Sequence, residues 1–263
     1  MVRPASYPPP VGTGSLPLRS PSYAAAVSRP NPTSMRIRWG LGDFAWAWPA
    51  TVFGQVVVAD FVLSARGFGP EHQADAIDIA VVTVGSLAVT VGVLMALSAA
   101  KGQRSLRDDF GLRVRFADWP WFAGGVLLQV VALEAVALIA VVAGSEPKQD
   151  VARALEHSGT IAKVLGALAV VVAAPLAEEL LFRGLLLRSF LRRFGAVAAV
   201  LVSGAAFAVV HLLDPNTVTL LAPLALVGVV SGIRAVRTGE LSQSILLHAG
   251  FNCFTAVVLL FGL

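Results

Sequence analysis

The chain has 263 residues, 56% of them hydrophobic and 14% charged, with a mean hydropathy of +0.76 and a formal net charge of +4. A soluble domain carries about 25% charged residues, so this composition excludes an ordinary soluble protein and predicts an all-α, polytopic membrane helix bundle. The single cysteine, Cys253, excludes an internal disulfide, and no basic patch interleaved with aromatics marks a soluble nucleic-acid-binding domain, so no nucleic acid is expected as a partner.

Residues 1–40 hold eight of the fifteen prolines and five arginines without one Asp or Glu, and are expected to form a disordered basic tail. The tail lacks the apolar core and small-residue cleavage site of a secretory signal, so no removal is expected. An integral membrane domain is expected over 41–263. Crossing the hydrocarbon takes about 20 mainly apolar residues, which predicts seven spans: 43–64, 77–99, 120–143, 161–187, 196–213, 217–233 and 241–262. Trp46, Trp48, Trp119 and Trp121 fall at span ends, as interfacial aromatics do. Asp60 and Glu134, each alone in a span, are expected to line a polar path or to pair with one another. His72 and His157 fall in loops and are expected to be solvated. The basic loop 101–115 reads as a topology signal, ending in an interfacial strap over 110–115.

Fifteen Lys and Arg lie on the tail's side of the membrane against three on the other, which makes the N-terminus cytoplasmic and the C-terminus external. The basic segments would attract anionic membrane lipid. No repeat relates the two halves, which counts against a transporter.

The fourth span carries Ala-Pro-Leu-Ala-Glu178-Glu179-Leu-Leu-Phe-Arg183-Gly184. A charge at mid-membrane costs about 2.5 to 3.5 kcal/mol, so three in six residues must be paired, watered or both. Glu179 and Arg183 stand four apart, on one helical face, whereas Glu178 points about 100° away. Arg183 is therefore expected to neutralise Glu179 and leave Glu178 free to face a cavity as a general base or acid. Pro175 is expected to kink or interrupt the helix just before them.

Two later spans carry one histidine each, His211 after Phe207 and His248 before Asn252, both at a spacing of four. Neutral imidazoles can orient or ligate a water, and an amide can donate to an oxyanion. Glu178 and His211 lie sixteen residues on either side of the turn near 194–195, about 24 Å along ideal helices, and so share a depth. His248, eight residues past Glu240, lies only about 12 Å in. It matches that depth if 187–194 is an interfacial amphipathic elbow. The structural alternatives are a buried ion pair for Glu179 and Arg183, an interhelical bond for His211 or Asn252, and packing for Phe207.

These motifs, Glu-Glu-x-x-x-Arg at 178–183, Phe-x-x-x-His at 207–211 and His-x-x-x-Asn at 248–252, resemble those of the CPBP intramembrane proteases. That family groups the CAAX prenyl endopeptidases with bacterial Abi and bacteriocin-processing proteins. The resemblance covers about 120 C-terminal residues and implies a catalytic core over 160–263, in the last four spans. It implies an intramembrane endopeptidase of a bacterial plasma membrane, acting on a membrane-associated peptide or protein. Glu178 would activate water, His211 and His248 would hold that water or a divalent metal such as zinc, and Asn252 would stabilise the oxyanion. Glu179, Arg183 and Phe207 would support them. The alternatives are a non-proteolytic immunity or scaffold protein and an ion-coupled transporter.

Overall fold

The computed structural model describes residues 37–67, 75–143 and 158–261, with the side chains of 135–143, 215, 216 and 219 outside that description. His72, His157 and residues 1–36 of the expected tail also lie outside it. The described chain is helical, with no strand among the described residues. Its helices are α1 (Leu41–Ala65), α2 (Ala76–Lys101), a short α3 (Leu106–Phe110), α4 (Pro120–Ala143), α5 (Thr160–Phe194), α6 (Ala196–Val210), α7 (Leu221–Thr238) and α8 (Ser242–Phe261). Seven are long and apolar enough to cross a membrane, as the hydropathy predicts.

Local chemistry sets the boundaries. The Asp75 carboxylate accepts from the N–H groups of Ile77 and Asp78 at 2.9 Å and so caps α2. The Arg66 guanidinium, 3.0 Å away, holds the Asp75 carboxyl down at about 2. Gly111 closes α3 at φ +76°, in the left-handed region that glycine enters without steric cost.

Three tight pairings build the bundle: α1 on α2, α6 on α7, and α4 on α8. In the last, a Cβ on Gly125 would lie 1.8 Å from Leu247 O, and one on Gly250 would lie 1.9 Å from Phe122 O. Two bare backbones therefore meet beside His248, a contact only glycine permits. The helix α5 packs against α2, α6 and α8, and its residues Leu180–Leu187 are all buried. It is 35 residues long, about 50 Å against a hydrocarbon thickness of about 30 Å, so it outreaches the membrane.

That surplus length corrects one expectation. Residues 188–194 continue α5 in one helix and do not bend away from it as a separate element. Their arginines tie the helix end to neighbouring loops. Arg188 donates to Asp109 O at 3.2 Å and Gly239 O at 2.5 Å, and Arg192 donates to Trp39 O at 2.6 Å. The loop 101–115 is likewise more than a topology signal. Phe110 is fully buried against Trp39, and Asp109, also fully buried, accepts from Gln103 N at 2.8 Å. Arg113 pairs with Glu240 at 2.6 Å. The tail boundary moves as well: Trp39 is buried, and Arg38 N donates to Lys101 O at 2.8 Å, so residues 37–40 belong to the ordered fold. Asp60 and Glu134 are exposed and, among the described residues, do not pair with one another.

Candidate active site

Glu178 and Glu179 fall on α5 between two π-helical stretches, Ala169–Ala173 and Leu180–Leu187. Pro175 lies just past the first, so the interruption expected of it takes the form of a π turn within a continuous helix. Glu179 and Arg183 are both fully buried, with Oε1 3.0 Å from Nη1. The guanidinium also donates to Gly228 O at 2.9 Å on α7 and lies over the Phe207 ring, 4.6 Å from its centroid. Arg183 thus binds α5, α6 and α7 together around one charge.

The same Glu179 Oε1 lies 3.0 Å from His248 Nδ1. A carboxylate oxygen accepts, so the Nδ1–H donates, which leaves Nε2 as the ring nitrogen turned to other partners. That nitrogen lies 3.6 Å from Glu178 Oε2, beyond direct hydrogen-bond length. The Glu178 side chain is 30% exposed where Glu179 is 0%, so adjacent carboxylates occupy different surroundings. His248 therefore reaches both, and the depth mismatch read from residue counting does not exist.

His211 closes α6. Its Nδ1 lies 2.8 Å from Phe207 O, which can only accept, so this ring too has its Nε2 left open. Phe207 is fully buried, and its ring meets the His211 ring at 4.9 Å and the His248 ring at 5.3 Å, both edge to face. The Asn252 amide donates to Val170 O at 3.0 Å. One of its two hydrogens is thus engaged with α5 backbone.

The donors test poorly against zinc. A catalytic zinc takes three protein ligands and an open position. No group of three His, Cys, Asp or Glu comes together in that way among the described residues. Glu179 is held by Arg183 and His248, which leaves Glu178 and His248 Nε2 as a two-membered set.

Residues 160–254 match the sequence profile of the type II CAAX prenyl endopeptidase Rce1-like family. The likeness to that family is confined to this segment. All three motifs fall inside it. The chain is also similar to an uncharacterized 24.3 kDa protein of Escherichia coli, at 36% identity over 101 residues. Those residues are 38% of this chain and cover 45% of that relative, so less than half the relative's length is matched. No solved structure matches the chain. The Rce1-like segment and the seven apolar helices make this an integral membrane protein.

Three contacts around the site went unread in the sequence. The engagement of Asn252 with Val170, the bond of Arg183 to Gly228 O, and the glycine contact beside His248 all involve backbone atoms of another helix. The Gly124-Gly125 pair and the lone Gly250, set in long apolar spans, were the available signal for the last.

Proposed function

We propose that the protein is an intramembrane endopeptidase in which Glu178 and His248 activate a water for attack on a peptide carbonyl. The supporting observation is the 3.6 Å separation of Glu178 Oε2 from His248 Nε2, with the ring fixed at Nδ1 by Glu179. A carboxylate oxygen and an imidazole lone pair repel unless a proton or a water joins them. A water donating one hydrogen to each presents its own lone pairs outward, as a nucleophile does.

The reaction then balances without another reactant. The water oxygen bonds to the carbonyl carbon, and Glu178 takes one of its protons. The tetrahedral intermediate carries its charge on the former carbonyl oxygen, where the second amide hydrogen of Asn252 stabilises it, as the family motif implies. Collapse breaks the C–N bond, and Glu178 returns the proton to the leaving amine. His211, held at Nδ1 and resting on Phe207, keeps Nε2 for the substrate. The two-membered donor set makes direct water activation the better reading than a zinc-bound hydroxide.

The substrate is a peptide or protein segment at the membrane, and the family's name makes a prenylated CAAX peptide the first to try. The basic residues around 38, 101–115 and 188–193 gather at one end of the bundle, which supports a cytoplasmic placement for that end and the N-terminus in a bacterial plasma membrane. The test is cleavage by purified protein in proteoliposomes, against prenylated and unprenylated peptides in heavy-oxygen water. One heavy oxygen in the new carboxylate supports hydrolysis. No cleavage of any peptide, with partner proteins retained, would favour a scaffold or immunity protein.

A further inference from the structure

The helix α5 has a gap in its hydrogen-bond ladder that another helix fills. In the π turn Ala169–Ala173, the Ala174 N–H bonds to Ala169 O, five residues back. In that register Val170 O awaits the N–H of residue 175, but residue 175 is proline and has none. A carbonyl left without a donor inside a membrane is costly. Asn252 Nδ2, on α8, donates to it at 3.0 Å.

We infer that Asn252 is a positioning residue whose amide replaces the N–H that Pro175 lacks, pinning α8 to α5 and holding His248 against Glu178. The helices run antiparallel, so His248 meeting Glu178 and Asn252 meeting Val170 are successive clamps towards the same end of the bundle. With one clamp alone α8 can rotate about it; with two, the His248 ring has one place to stand. This rests on the reading of Glu178 and His248 as the water-activating pair. It concerns the amide hydrogen that an oxyanion role does not use.

The test compares wild type, Asn252→Ala, Pro175→Ala and the double variant in one detergent, by thermal unfolding and by kcat and KM. Asn252→Ala removes both the oxyanion hydrogen and the pin, so it should lower kcat by about 10³-fold and the melting temperature by about 2 to 4 °C. Pro175→Ala supplies a backbone N–H for Val170 O. Adding Asn252→Ala to it should therefore cost kcat only the oxyanion share, about tenfold less than the same substitution costs in wild type, and leave melting nearly unmoved. Losses that add independently in melting would overturn the inference, and so would a kcat loss that Pro175→Ala fails to relieve.

If Pro175→Ala does not fold, Asn252→Asp carries the test. Its carboxylate cannot donate to Val170 O, but its acid form can, so its melting deficit relative to wild type should shrink between pH 7 and pH 4. A constant deficit would overturn the inference. If wild type cleaves nothing, the function proposed above fails on its own and the melting data still decide the pinning.

Discussion

A single oxygen of Glu179 faces both Arg183 and His248, at 3.0 Å from each, in a site with no solvent exposure at the carboxylate. The consequence is a division between neighbours. Glu179 holds the architecture and orients the imidazole, while Glu178, 30% exposed at the side chain, is the carboxylate open to its surroundings.

Replacing Glu179 with Gln keeps the volume and removes the charge. Arg183 is then a fully buried cation without its carboxylate. Breaking one side of a buried pair costs about 3 to 5 kcal/mol, so thermal unfolding in detergent should show a large loss together with lost cleavage. An unchanged melting temperature would contradict the structural role given to this residue.

A methyl at position 250 tests how closely α4 and α8 must approach. Its Cβ would sit 1.9 Å from Phe122 O, so Gly250→Ala has to push α8 away, at about 1 to 3 kcal/mol for overpacking. Because His248 lies two residues earlier, cleavage should fall along with stability. Gly124→Ala serves as the control, since its Cβ would meet nothing closer than Trp121 Cε3 at 3.8 Å.

Chelation bears on the two-membered donor set. Treatment with EDTA or phenanthroline should leave cleavage unchanged, and metal analysis of the purified protein should give well under one zinc per chain. Activity lost to chelator and restored by zinc would contradict the water-activation reading.

Acid sensitivity has one assignable source outside the spans. The folded value of about 2 for Asp75 lies below the unfolded value of about 3.9, so its contribution is present above about pH 4 and is lost as pH falls towards 2. Arg66→Ala should flatten that part of the melting profile. The pair is partly exposed and screened by solvent, so the effect is small.

The spans were legible because continuous apolar runs are the bilayer's own requirement, and the charged cluster was legible because charge there is conspicuous. What residue counting missed was geometry made by irregularity. Counting along straight helices from the turn near 194–195 left His248 short of the depth of Glu178, whereas α5 runs through two π turns and the two side chains lie 3.6 Å apart. Trp39 and Phe110 looked like parts of a tail and a loop, yet they stack on one another at 5.0 Å, because a basic segment gives no hint of the one aromatic that turns inward. The bond from Asn252 to Val170 was unreadable for a different reason. It needs the knowledge that a proline five residues on has emptied one carbonyl.

The most direct test is the rate of peptide cleavage by Glu178→Gln in proteoliposomes, measured beside its melting temperature. Removing a general base costs about 10²- to 10⁴-fold in rate, and a partly exposed position should shift stability by no more than about 0.5 kcal/mol. Cleavage at the wild-type rate in a folded Glu178→Gln variant would contradict the account at its centre.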